Sequence, residues 1–248
     1  MSSTPVHLIF GAYGGIGTTL TQELAAQGCR LALAGRNPDA LQQLADEYGA
    51  VAIQVEATDR NSIEEAIKHT KDTYGRVDGI VNAFGTMLLK PAHLTKDQEW
   101  DDTLAINLTS AFAITRAAAR AFPAEGGSVV FLSSVAARIG LQNHEAIAAA
   151  KAGLIGLALS AAATYAPKRI RFNVVAPGLT RTPMTHSITG NEAALKASTR
   201  MHPLGRVGEP EEIASAVAWF LDPAQSWVTG QILGVDGGLG SVRPRAGA

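Results

Sequence analysis

The 248-residue chain has a single cysteine, Cys29, so no internal disulfide can staple it and a large hydrophobic core has to hold it together. It lacks an excess of charge of either sign. Lys and Arg number 21 against 22 Asp and Glu, a formal net charge of −1, so neither a nucleic acid nor an anionic membrane finds a field to follow. The start, Met1 to Pro5, lacks the basic flank and apolar run of a secretory signal. No unbroken apolar stretch reaches the roughly 18 residues of a membrane span. These absences lead to the expectation of a soluble, cytoplasmic protein that handles a small molecule, with no nucleic acid, membrane or metal as partner.

What is present is a regular alternation. Seven short apolar runs read as strands: Val6 to Phe10, Leu31 to Ala34, Val51 to Val55, Gly79 to Val81, Val129 to Leu132, Phe172 to Val175 and Ile232 to Val235. Between them, Ile16, Leu20 and Leu24 recur at helical spacing, as do Leu41, Leu44 and Tyr48, with glycine stops at Gly28, Gly49 and Gly75. Asn37-Pro38 and Glu209-Pro210 read as helix caps followed by proline in the first turn. Strand and helix in strict alternation predict right-handed βαβ units, a mostly parallel seven-stranded sheet and helices on both faces. With 46% hydrophobic residues and 25 glycines, the whole chain, 1–248, is expected to form one α/β domain.

Three segments stand apart. Glu145 to Ala166 is a long, alanine-rich helix with Gly153 and Gly156 inside it; its small residues suit either packing on the sheet or a subunit interface. Thr185 to Pro203 is polar and uneven and is expected to be a lid over the ligand. Ser241 to Ala248 reads as a loose tail.

The first strand runs into Gly11-Ala12-Tyr13-Gly14-Gly15-Ile16-Gly17 and then a helix. Glycines there permit a tight turn and close backbone approach, and the helix N-terminus offers unspent N–H groups, which together suit the diphosphate of a dinucleotide. The second strand ends Ala34-Gly35-Arg36-Asn37. An acid at that place would hold a ribose 2′-hydroxyl; Arg36 suits a 2′-phosphate, pointing to NADP(H) rather than NAD(H), unless it is only a solvated loop cation.

With these residues in view the chain resembles the short-chain dehydrogenase/reductase superfamily, from Val6 to about Gly238. Gly11-x-x-x-Gly15-Ile16-Gly17 matches the cofactor loop of that family, Asp78 to Gly85 resembles its Asn-Asn-Ala-Gly segment, and Trp100 to Asn107 resembles the helix that carries its asparagine. Pro177-Gly178-Leu179-x-x-Thr182 and Val235-Asp236-Gly237-Gly238 match two further signatures. The resemblance implies a Rossmann-type fold and a homotetramer or dimer. It also implies that Gly11, Tyr13, Gly15, Ile16, Gly17, Arg36, Glu56, Ala57, Asn82 and Ala83 line the coenzyme. Pro177, Gly178 and Leu179 would border the nicotinamide, and Thr182 would lie near the pyrophosphate or carboxamide.

In the common mechanism of that family a tyrosine protonates the substrate oxygen, a serine hydrogen-bonds it, and a lysine four residues after the tyrosine lowers its pKa and holds the nicotinamide ribose. Ser134 and Lys151 match the serine and lysine, and Asn107 the asparagine of the water relay. The position thirteen after Ser134 and four before Lys151 is Ile147, which carries no proton. His144 precedes Lys151 by seven residues, which puts both on one helix face about 10 Å apart along the axis, so it is the nearest titratable replacement. Its alternative is a surface residue that opens the helix, and Glu145 points roughly 100° away. The same spacing resembles the enoyl reductases of the superfamily. The expectation is an NADP(H)-dependent oxidoreductase acting on a small carbonyl, imine or activated alkene, with Ser134, Lys151, Asn107 and His144 as its catalytic set. A silent NADP(H)-binding sensor or partner subunit, and a non-redox lyase or isomerase, are the competing readings.

Overall fold

The computed structural model describes residues 4–243, so the expected tail lies outside the described residues from 244 onward. In chain order the first half comprises β1 (Val6–Phe10), α1 (Gly15–Ala26), β2 (Arg30–Gly35), α2 (Pro38–Tyr48), β3 (Val51–Gln54), α3 (Arg60–Tyr74), β4 (Gly79–Asn82), α4 (Asp97–Leu104) and α5 (Ser110–Ala121). The second half adds β5 (Gly127–Leu132), α6 (Glu145–Tyr165), β6 (Ile170–Pro177), α7 (His186–Thr189), α8 (Glu192–Met201), α9 (Pro210–Leu221) and β7 (Ile232–Val235).

All seven expected strands form one sheet in the order β3-β2-β1-β4-β5-β6-β7, and every pairing is parallel, not merely most of them. Helices start and stop where local chemistry dictates. The Asn37 side chain accepts from the N–H groups of Asp39 and Ala40, Pro38 opens α2, and Gly49 closes it in the left-handed conformation. On one face of the sheet, Leu20, Leu24, Leu41, Ile213 and Val217 from α1, α2 and α9 pack on Ile9, Leu33 and Val130. On the other, Ile63, Ile114, Leu154 and Ala158 from α3, α5 and α6 pack on Leu8, Phe131 and Phe172. Each fully buried Phe or Leu contributes roughly 2 kcal/mol. Covering both faces makes the strands run apolar without alternation; β1, Val-His-Leu-Ile-Phe, is buried throughout.

The segment from Thr185 to Pro203 is mostly helical, as α7 and α8. By length and composition Glu145–Lys168 could cross a membrane, with a mean hydropathy of 1.7, although no unbroken apolar run signalled it. Lys151 and Glu145 break the run without lowering its mean enough. In the fold this helix carries Ala150, Leu154 and Ala158 into the core and lies between β5 and β6 in sequence.

Candidate active site

The order of strands reverses its winding between β1 and β4, so the loops leaving their carboxyl ends part and leave a crevice. The loop after β1 is built by close backbone approach. Gly11 has φ +76°, and a Cβ there would lie 2.6 Å from the Ala83 carbonyl oxygen beyond β4. Gly14 opens α1 without a side-chain cap, and the Thr18 N–H is the first to bond back, 2.8 Å from the Gly14 carbonyl. The N–H groups of Gly15, Ile16 and Gly17 therefore have no partner among the described residues. A Cβ on Gly15 would lie 2.9 Å from the Thr182 side chain, so the loop after β6 rests on the loop after β1.

At the end of β2 the Tyr13 ring lies against Gly35, where a Cβ would be 2.6 Å from its Cε1. Arg36 follows, exposed, with no carboxylate paired to its guanidinium among the described residues. Glu56 is exposed and its carboxylate accepts from the Thr58 hydroxyl at 3.4 Å, while Ala57 is buried. Asn82, buried at the end of β4, accepts the Phe84 N–H at 3.1 Å, and Ala83 donates its N–H to Phe10 at 2.9 Å.

Lys151 is the electrostatic centre. Only 7% of it is exposed, and burial pulls its pKa down to about 8. Its ammonium donates to the Leu132 carbonyl at 3.0 Å, the one partner it has among the described residues, so two of its three donors are unspent. The Ser133 hydroxyl donates to the Lys151 carbonyl at 2.7 Å and ties α6 to the end of β5. Beside Lys151 lies Gly85, whose Cβ position would be 3.4 Å from both Lys151 Nζ and Asn107 Oδ1.

Asn107 sits in a π-helical turn, Ala105–Thr109, between α4 and α5. That turn frees the Thr103 carbonyl, and the Asn107 amide takes it at 3.0 Å while donating to the Thr86 hydroxyl at 2.9 Å. Asn107 Oδ1 accepts the Thr86 N–H at 3.2 Å. The side chain thus spans the bulge and the loop after β4.

Ser134, half-buried after β5, uses its hydroxyl oxygen to accept the Ala136 N–H at 3.1 Å. His144 stands at the N-cap of α6, half-buried, and its Nδ1 is 2.7 Å from the Gln142 carbonyl. A carbonyl only accepts, so Nδ1 carries the hydrogen and Nε2 is left without a partner among the described residues. Ile147 is buried one turn before Lys151. No hydrogen bond joins Ser134, His144 and Lys151 to one another. The Pro177–Gly178–Leu179 turn is held from beneath, the Leu179 N–H donating to His202 Nε2 at 3.2 Å.

The sequence pointed to the glycine loop, Arg36, the segment ending in Gly85, Asn107, Ser134 and Lys151 but not to Thr86, Ser133 or His202, whose parts depend on contacts across the chain. The one available signal was that Ser133 stands beside Ser134 at a strand end.

A family model described as enoyl-(acyl carrier protein) reductase matches residues 11–240. The chain is 35% identical over 242 residues to 3-oxoacyl-[acyl-carrier-protein] reductase FabG of Thermotoga maritima, covering 94% of this chain and 97% of that one. It is 31% identical over 239 residues to D-threitol dehydrogenase of Mycolicibacterium smegmatis, covering 94% and 92%. Among solved structures it is similar to a short-chain type dehydrogenase/reductase from Mycobacterium ulcerans, with TM-score 0.93, 28% identity and coverage of 98% and 92%. It is also similar to a variant of actinorhodin polyketide ketoreductase solved with NADPH, with TM-score 0.90, 27% identity and coverage of 98% and 100%.

Proposed function

The chain is an oxidoreductase of the short-chain dehydrogenase/reductase superfamily, and from that premise we propose that it uses NADP(H) to reduce or oxidise a small, partly apolar substrate at a carbonyl, imine or activated alkene. The observation that carries this reading is the buried Lys151 ammonium with two unspent donors beside side-chain-free Gly85. A buried cation with one neutral partner is poorly compensated, and the hydroxyls of a ribose are the chemistry that completes it. The unspent amides of Gly15, Ile16 and Gly17 fit a diphosphate, and the unpaired Arg36 fits a 2′-phosphate. When bound, the nicotinamide supplies or accepts the hydride.

The side chains have the remaining work. Asn82, Ala83, Glu56 and Ala57 line the adenosine side with Tyr13, and Pro177, Gly178, Leu179 and Thr182 border the nicotinamide side. Ser134 has a hydroxyl hydrogen to give to a substrate oxygen, because its own bond to Ala136 uses only the oxygen lone pair. Asn107 holds the bulge and orders the surroundings of Lys151. Ile147, at the position where the family has tyrosine, only fills space. His144 is the proton donor in this reading: with Nδ1–H held by Gln142, Nε2 is the nitrogen that carries the transferred proton, directly or through a bridging water. The FabG relative carries out 3-oxoacyl reduction by name and the matching family model is described by enoyl reduction, so both chemistries are represented, and the NADPH of the ketoreductase neighbour supports the coenzyme choice.

The proposal includes one domain, α7 and α8 as a lid, a cytoplasmic location and self-association. Trp227 is 98% exposed next to the edge strand β7, and Leu159 and Phe112 are exposed on α6 and α5, surfaces that a second copy of the chain would cover. The competing reading, a silent NADP(H) sensor, draws on Ile147 and predicts binding without turnover.

The test titrates NADPH and NADH, then screens ketones, imines and enones with the parent, His144→Ala and Ser134→Ala. Expected are preference for NADPH, its loss by roughly tenfold or more in affinity in Arg36→Ala, and collapse of turnover in His144→Ala. Tight NADH binding with none of NADPH overturns the coenzyme choice, and full activity of His144→Ala overturns the proton donor.

A further inference from the structure

His202 follows the last turn of α8 and is buried, yet both of its ring nitrogens are engaged. Nδ1 is 2.8 Å from the Ser198 carbonyl, and Nε2 is 3.2 Å from the Leu179 backbone nitrogen. A carbonyl only accepts and a backbone N–H only donates, so these two neighbours fix a single tautomer: a neutral ring with its hydrogen on Nδ1. The imidazole is a strut between α8 and the turn after β6. Its fit is close. A Cβ on Gly178 would lie 2.8 Å from His202 Nε2 and 2.9 Å from Asp236 Cα, so the turn is clamped between the ring and the segment after β7. Asp236 itself is held in place, accepting from the Gly238 and Gly240 N–H groups at 2.9 and 3.1 Å.

The other end of the same segment is also anchored at the crevice. Thr182 and Pro183 rest on Gly15, and the Thr185 hydroxyl donates to the Thr180 carbonyl at 2.5 Å. Residues 182 to 202 therefore form a strap fixed at one end on the glycine loop and at the other on the Pro177–Leu179 turn. We infer that His202 is a positioning residue that couples α7 and α8 to this turn, so that the strap and the nicotinamide-bordering turn adopt their bound arrangement as one unit. The inference rests on the proposed function, which places the turn beside the nicotinamide, and His202 itself touches no reacting atom.

The experiment compares the parent with His202→Leu, which fills the space but neither accepts nor donates, and His202→Gln, whose amide oxygen and nitrogen can serve the same two groups. Two ligands are titrated: intact NADPH and 2′-phospho-ADP-ribose, which has the adenosine end without the nicotinamide. Backbone hydrogen exchange over 178–202 is followed with and without NADPH. In His202→Leu we expect NADPH to bind roughly tenfold more weakly, with the fragment unchanged, and NADPH to stop protecting α8 from exchange; His202→Gln restores most of both. His202→Ser leaves room for a water to serve the Leu179 amide and carries the same comparison if the leucine variant does not fold. Parent-like NADPH affinity and parent-like protection of α8 in His202→Leu, or in His202→Ser in its place, overturn the coupling. Equal weakening of NADPH and of the fragment overturns it as well, because a general loss of structure would do that. A parent that binds the fragment but shows no gain from the nicotinamide overturns the coupling through the function on which it rests, and is told apart by needing no variant.

Discussion

Lys151 and His7 lie toward opposite ends of the sheet, both buried, and desolvation pulls the pKa of each down, to about 8 for the lysine and about 4 for the histidine. Their surroundings differ. The Lys151 ammonium has a carbonyl partner and an open neighbour in Gly85, with Asn107 Oδ1 on the same side. His7 Nδ1 has no partner among the described residues and presses on Gly79, with the Leu221 side chain also there; the negative charge of Asp78 offsets only part of its desolvation. A perturbed pKa is thus common to the group proposed to bind ligand and to one enclosed by the fold. What separates them is the neighbourhood of the unspent hydrogen-bonding capacity: a side-chain-free glycine and an amide oxygen for Lys151, a glycine and a leucine side chain for His7.

The largest effect expected from breaking this contrast is that of Lys151→Met. Turnover should fall at least ~100-fold, the loss of about 3 kcal/mol of interactions with a bound ligand. Stability should move the other way. The folded pKa of about 8 lies below the unfolded value of 10.5, so the unfolded chain holds more protons between the two and the parent gains stability as pH rises through that window. The methionine variant should therefore unfold at higher denaturant concentration than the parent at pH 7, and the gap should close toward pH 10.5. Parent-like turnover in steady-state assays would place Lys151 with His7.

His7→Leu comes next. The folded pKa of about 4 is below the unfolded value of 6.5, so the stability His7 confers is complete above pH 6.5 and is lost as pH falls through 4. The parent should lose up to roughly 3 kcal/mol over that range through this residue, and His7→Leu should flatten that part of the profile without changing turnover at pH 7. Urea unfolding at several pH values reads it.

The finest comparison is between two glycines. Gly79→Ala drives a Cβ into His7 and should cost about 1–3 kcal/mol of stability with little change in activity at pH 7. Gly85→Ala puts its Cβ at 3.4 Å from Lys151 Nζ and should cost under about 1 kcal/mol while lowering turnover roughly tenfold. Thermal melting alongside kcat/KM separates the two patterns.

The strands were legible because burial on both faces leaves each as an apolar run. β6 was read too short, since its polar members are satisfied only across the chain. Asn173, fully buried, accepts from Gln231 and donates to Val228, and the Arg171 guanidinium reaches the carbonyls of Val228 and Asp222. The glycine loop was legible from order alone, as glycines between a strand and a helix. That Thr182 rests on Gly15 is not a local fact, and neither is the meeting of Thr86 with Asn107. The π-helical turn escapes a reading of periodicity because one extra residue shifts the register only locally. Helix formation in α8 was hidden by its polar composition, although Asn191 caps it by accepting from Ala194.

Tyr13 and Gly35 occupy one another's space, and this restricts the order in which the chain can change. Any side chain gained at 35 is blocked until 13 becomes smaller, whereas a smaller residue at 13 leaves 35 free to vary. A mutational path that adds a side chain at 35 must therefore pass through position 13 first, whereas the exposed position 36 can vary with the tyrosine retained.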